Sequence, residues 1–170
     1  MFDNIGRLDQ LCARHGLKQV FHVHVDSLVE TAHEIQRVVE STNVSFVLET
    51  GHMLIGGFDP LGFARDHADR IGLVHLKDVD MSIASPLTAD EITLMQAVQK
   101  GIFPCLGDGD SPIAECITTL ESRGYSGWYI IEQDVALTDG LPADGEGPVR
   151  DVQRSVAYLR SIASAIPEHH

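Results

Sequence analysis

An α/β fold built on a parallel sheet is predicted by three observations. Short apolar stretches rich in β-branched residues alternate along the chain with longer amphipathic ones, which is the pattern of βα units. Polar, chemically capable residues gather at the C-terminal ends of those short stretches, where parallel α/β folds carry their sites. The clearest case is Ile71–Asp78, Ile-Gly-Leu-Val-His-Leu-Lys-Asp. Strand alternation puts His75 and Lys77 on one of its faces and Val74 and Leu76 on the other.

Each element follows from local pattern. Asn4 to Gly16 predicts a helix with Ile5, Leu8, Leu11 and Cys12 on one face and Gly16 as its stop. Lys18 to Val25, Lys-Gln-Val-Phe-His-Val-His-Val, alternates as a strand does. Asp26-Ser27 offers an N-cap for a helix over 28–41, with Leu28, Ala32, Ile35, Val38 and Val39 at helical spacing. Val44 to Leu48 predicts a strand ending in Glu49-Thr50-Gly51-His52, followed by a Gly-rich loop. Asp59-Pro60 opens the next helix, Asp as cap and Pro in the first turn. After the Ile71–Asp78 stretch comes a long excursion with a helix at Thr88–Lys100 and the loop 101–110; loops of this kind in compact domains are usually functional. Ser111-Pro112 starts a helix that Gly124 ends. Trp128 to Ile131 is the last strand, leading into Glu132-Gln133-Asp134, and Trp128 is expected to be buried. A polar loop, 138–148, precedes a final helix carrying Val149, Val152, Val156, Leu159, Ala163 and Ile166 at steps of three and four.

Composition narrows the class. The 170 residues suit a single domain, 1–170, with 44% hydrophobic and 22% charged residues, ordinary values for a globular chain. A net charge of −13 argues against a nucleic-acid backbone as partner, because binding phosphates requires a basic surface. No apolar run approaches the length of a membrane span. Cys12, Cys105 and Cys116 lack metal-type spacing and, with no signal peptide, read as reduced thiols of a cytoplasmic protein. The terminal Glu168-His169-His170 reads as a tag remnant and is set aside.

The strand ends supply His22 and His24, Glu49 with nearby His52, His75 with Lys77, and Glu132. On adjacent parallel strands these groups converge on one mouth. Two imidazoles and two carboxylates suit a divalent ion: Mn²⁺, Co²⁺, Mg²⁺ or Zn²⁺. Such an ion polarises a sugar carbonyl, and a neighbouring carboxylate moves the proton from the adjacent carbon. Taken singly, each histidine reads as a hydrogen-bonded structural residue and each glutamate as a partner at a βα junction. All four strands ending alike is what favours a site. His15, His33 and His67 fall in helices and read as surface residues.

An ordered set of motifs then resembles a known family: Phe21-His-Val-His-Val-Asp-Ser27, Leu48-Glu-Thr-Gly-His52, Gly57-Phe-Asp-Pro60, Asp69-Arg-Ile-Gly72, Val74-His-Leu-Lys-Asp78, Leu106-Gly-Asp-Gly-Asp110, Gly124-Tyr-Ser-Gly-Trp128 and Glu132-Gln-Asp134. Together they are similar to the C-terminal half of the xylose isomerase-like TIM barrels, sugar isomerases and epimerases, with inosose dehydratase as the nearest branch. The resemblance implies a partial (half) TIM barrel of four parallel βα units corresponding to strands five to eight. It implies a divalent metal held by His24, Glu49, His75 and Glu132, with Glu132 as base and His24 or Lys77 as its partner. It also implies substrate contacts from His22 (the alternative strand-five residue), His52 and Lys77. The substrate expected is a sugar or inositol derivative. The family's usual strand-six aspartate is Glu49 here, and Leu73 stands where close relatives often have histidine. A whole barrel needs about 250 residues, so only the second half is expected here: a truncated product, a half-barrel that forms a homo-oligomer, or one that pairs with a separate N-terminal half. The competing reading is a non-catalytic half-barrel or a subunit that requires that partner. An abasic-site endonuclease is disfavoured by the acidic charge, and a flavodoxin-like carrier by the lack of a phosphate loop after the first strand.

Overall fold

The computed structural model describes residues 1–138 and 140–166. The terminal histidines set aside above lie outside them. Four strands form one parallel sheet in the order β1 (Val20–Phe21), β2 (Ser45–Glu49), β3 (Ile71–Leu76), β4 (Tyr129–Ile131). Consecutive neighbours joined by helical crossovers are the expected βα succession. Among the described residues no helix is long and apolar enough to cross a membrane.

One face of the sheet makes the core. Phe46, Leu48, Val74 and Leu76 are fully buried there. They pack against α2 (Ala32–Ser41), α4 (Pro60–Asp66) and α7 (Ile113–Ser122) through Ile35, Val38, Phe63, Ala64, Cys116 and Leu120. Burial of this size is the main driving force of the fold. A second cluster, Val25, Ile55, Val79, Ala84, Ala97, Ile102 and Phe103, lies beneath the carboxyl ends of the strands.

The opposite face carries Glu49, His75 and Ile130 in mutual register. A bulge between Phe46 and Val47 skips one β3 residue, so that Phe46 pairs with Ile71 but Glu49 pairs with His75. That slip brings the two groups side by side, since in-register neighbours share a face.

Several expectations are corrected. Trp128 is 78% exposed and precedes β4 instead of opening it buried. Ile130, two residues on, is 40% exposed. The first strand is two residues long, and residues 22–25 run on beyond its last pair. The following helix is capped by Thr31, not Asp26-Ser27, because Thr31 and Glu34 form a reciprocal capping box. Leu28 is therefore exposed in the connecting turn. α3 (Thr50–Ile55) starts directly after Glu49, and the expected Gly-rich loop is shortened to the turn at Gly56-Gly57 that leads to α4.

The excursion holds α5 (Met81–Thr88) and α6 (Leu94–Gln99) in place of one helix at 88–100, with separate caps at Asp80 and Thr93. In α1 (Phe2–Arg14) only Ile5 is buried, and Leu8 and Leu11 are about half exposed. The last helix, α8 (Pro148–Ala165), is rotated from its expected stripe. Val149 and Val152 face out, and Ser155 is buried with its hydroxyl accepting the Leu106 N–H at 3.1 Å. The polar anchor outweighs two exposed valines, because a buried N–H without an acceptor is costly.

Candidate metal and proton-transfer site

The site lies at the carboxyl ends of all four strands. Glu49 closes β2 and is wholly buried. Its Oε2 lies 3.4 Å from His22 Nε2, just past β1, and 3.1 Å from His75 Nδ1 on β3. The same His75 nitrogen lies 2.9 Å from Glu132 Oε1, just past β4. Yet neither Glu49 oxygen nor His75 Nδ1 has a hydrogen-bond partner of proper geometry. Carboxylate and imidazole groups from different strands face one small volume, at distances that suit charge pairing but without directed hydrogen bonds. His22, Glu49 and His75 offer ligand atoms within 4.8 Å of one another, as do Glu49, His52 and Glu132. A buried carboxylate left unpaired is strongly unfavourable. The imidazole and carboxylate donors are of the kind that would suit a divalent ion such as Mn²⁺, Co²⁺, Mg²⁺ or Zn²⁺.

Lys77 stands next along β3 and is 1% exposed. Its Nζ lies 3.1 Å from His52 Nε2, 2.9 Å from Glu132 Oε2 and 2.7 Å from Asp134 Oδ2. All three ammonium hydrogens are thus engaged. Burial pulls the lysine pKa down, but hydrogen bonds to Asp134 and Glu132 outweigh it and leave the group above its ordinary value. Glu132 is held well below the usual carboxylate range, chiefly by His75 and then by Lys77. His75 is raised to about 9 by the carboxylates of Glu132 and Glu49 beside it. His52 is pushed down to about 2, first by burial and then by Lys77, so it is neutral and accepts from the ammonium. His52 comes this close because Gly51 has no side chain; a Cβ there would lie 2.9 Å from Lys77 Cγ.

The expected residues are brought together with one change of role. His22, not His24, stands beside Glu49 and His75. The chain leaves the sheet after Phe21, and His24 Nδ1 turns to the Val25 carbonyl at 2.6 Å while its ring packs on His52 at 3.7 Å between centroids. His15 and His33 are exposed as expected; His67 is half-buried, packed on Phe63.

Three participants escaped the sequence reading. Asp134 repeats Glu132 at a step of two and so shares its face, a signal that was available. Asp78 and Phe103 carry no such local signal, because their partners are about 30 residues apart in the chain.

The sequence profile of the xylose isomerase-like TIM barrel family matches residues 1–162. The chain is 35% identical over 144 residues to an inosose dehydratase of Geobacillus thermodenitrificans, covering 82% of this chain and 48% of that protein. It is 37% identical over 142 residues to an inosose dehydratase of Geobacillus kaustophilus, covering 81% and 46%. It thus spans about half the length of the curated relatives it matches. Among solved structures, the IOLI protein with a bound zinc atom superposes with a TM-score of 0.67 at 16% identity, covering 99% of this chain and 56% of that one. A probable 3-DHS dehydratase, AsbF of Bacillus anthracis, gives a TM-score of 0.67 at 14% identity, covering 94% and 55%. These two likenesses speak to fold alone.

Proposed function

This chain belongs to the xylose isomerase-like TIM barrel family, and from that premise we propose that it is the metal-holding half of a dehydratase acting on an inositol-derived ketone. The observation that carries the reading is Glu49: fully buried, both oxygens without partners, flanked by His22 and His75. Its likeness to the inosose dehydratases supports the substrate class.

In this reading His22, Glu49, His75 and Glu132 are the residues that would hold the divalent ion. The ion supplies Lewis acidity toward the ketone oxygen. Glu132 takes the proton from the carbon beside the ketone, the electrons of that C–H bond form the new double bond, and the hydroxyl on the next carbon leaves as water. Lys77 keeps Glu132 ionised and oriented through its bond to Oε2. With all its hydrogens engaged, Lys77 is poorly placed to hand a proton to the leaving hydroxyl. His24 is the candidate donor: its Nδ1–H donates to the Val25 carbonyl, and in the imidazolium form its Nε2–H would protonate the leaving hydroxyl. His52 orients Lys77 and borders the same space.

A second element of the reading concerns architecture. The four βα units correspond to strands five to eight of a barrel, and a further four-strand unit would close it. The exposed Trp128 and Ile130 on the open sheet face, and Leu8 and Leu11 on α1, favour it.

The test is elemental analysis of the purified protein followed by exposure to inosose, watching for the ultraviolet absorbance of the enone product. About one divalent ion per chain is expected, released when the protein unfolds. A folded chain that takes up no divalent ion would overturn the reading.

A further inference from the structure

Lys77 and Asp78 are consecutive at the end of β3, and they point to opposite sides. Lys77 enters the site; Asp78 turns to the loop 101–111. Both are 1% exposed. The Asp78 carboxylate is satisfied by backbone alone. Its Oδ1 accepts from Val79 N and Ser111 N, each at 2.9 Å. Its Oδ2 accepts from Gly107 N at 2.8 Å and Gly109 N at 3.0 Å. Charge-assisted bonds of this kind are the strong ones. The loop is shaped to allow them. Gly107 has a φ of +92°, and a Cβ on Gly109 would lie 2.5 Å from Asp78 Oδ1 and 2.6 Å from the Val79 carbonyl.

The gathered loop then reaches back over the site. Asp80 N donates to the Ile102 carbonyl at 2.9 Å, Asp110 N to the Val79 carbonyl at 2.7 Å, and Gln133 Nε2 to the Phe103 carbonyl at 3.1 Å. Phe103 is thereby held with its ring centroid 4.7 Å from Lys77 Nζ and 5.8 Å from the His52 ring. The ammonium has acceptors from His52, Glu132 and Asp134, and the aromatic face covers its remaining side. A ring over a desolvated ammonium adds attraction as well as shielding.

We infer that Asp78 is a positioning residue: its carboxylate gathers the loop 101–111 and so seats Phe103 over Lys77, keeping the ammonium dry and directed at Glu132. The proposal rests on Lys77 being part of the site proposed above, and it adds to that site a loop and two residues the chemistry does not itself use. Its physical signature is specific. Asn in place of Asp78 is the same size, yet its amide presents N–H to two backbone N–H groups, and half of the gathering contacts are lost.

The chain has three lysines, Lys18, Lys77 and Lys100, and Lys18 and Lys100 are exposed. They serve as internal controls for acylation read by mass spectrometry, with amide hydrogen exchange of β2 and β3 followed on the same samples. In the unaltered protein Lys77 should stay unmodified while the other two react. In Asp78→Asn and in Phe103→Leu, Lys77 modification should rise by about tenfold, with strand exchange unchanged, because only the local opening has become easier. If Asp78→Asn does not fold, Gly109→Ala tests the same contact from the loop side. Lys77 reacting like Lys18 in the unaltered protein, or remaining protected in the folded variants, would overturn the inference. Metal content measured in parallel separates the two ideas. A protected Lys77 in a chain that binds no metal counts against the proposed function alone, and a freely modified Lys77 in a metal-bound chain counts against the latch alone.

Discussion

Glu49 and His75 face each other in register across β2 and β3, with Oε2 and Nδ1 3.1 Å apart and no properly directed hydrogen bond between them. The pair is set by the sheet itself, so it does not depend on loop conformation. The buried Glu49 carboxylate is held beside the charged His75 by attraction, with no directed hydrogen bond of its own.

Glu49→Gln should therefore lower both stability and binding. The metal-free variant is expected to be less stable than the unaltered metal-free protein by about 1–3 kcal/mol, because the amide loses the attraction to His75 and is itself buried without partners. It should bind divalent ions far more weakly. Calorimetric melting with and without added metal checks both, and a variant that melts higher in metal-free buffer would show that the pairing with His75 contributes nothing to stability.

His22 and His24 make a sharper pair. His22→Ala should weaken metal binding by more than the ~10–100-fold that outer partners are worth, because His22 Nε2 is one of the clustered donors. His24→Ala should leave affinity within that range and lower turnover instead, since His24 packs on His52 without joining the cluster. Titration of the two variants with Co²⁺, followed by its visible absorbance, distinguishes them; equal losses would contradict the assignment.

Trp128 reports on the open sheet face. It is the one tryptophan in the chain and is 78% exposed. The isolated chain should emit with the maximum of a water-exposed indole, and the emission should move to shorter wavelength when a complementary four-strand unit covers that face. A buried-type spectrum in a demonstrably monomeric sample would contradict the placement.

The capping box of α2 gives a stability prediction away from the site. Thr31→Ala should cost about 1 kcal/mol, read as a lower denaturation midpoint at unchanged slope. Glu34 contributes from the other side of the box. Its carboxyl is held below the usual value by the Thr31 and Glu30 N–H groups. Its contribution is therefore complete above the ordinary carboxyl pKa and is lost as pH falls through the lowered one. Glu34→Gln should flatten that acid-side dependence, and an unchanged profile would mean the box carries no weight in solution.

Much of this was legible in the chain. The alternation of apolar strands and amphipathic helices fixed the βα succession, because strand and helix periodicities differ and each is a local property. The polar strand ends identified Glu49, His52, His75, Lys77 and Glu132 as neighbours before any coordinate was known. Where reading failed, a nonlocal contact had outweighed a local pattern. The expected valine stripe of α8 gave way to the Ser155–Leu106 bond, and Trp128 lost its expected burial because it precedes the paired residues of β4.

By itself, then, the sequence determined which residues stand at the strand ends and which faces they share, since strand side chains alternate without regard to the rest of the molecule. Only the tertiary structure decided that His22 rather than His24 joins Glu49, that Asp134 completes the partners of Lys77, and that Asp78 gathers a distant loop to place Phe103. Those choices depend on where β1 stops pairing, on a bulge in β2, and on a loop returning about 30 residues later. Such contacts form between segments far apart in the chain, and no periodicity within either segment encodes them.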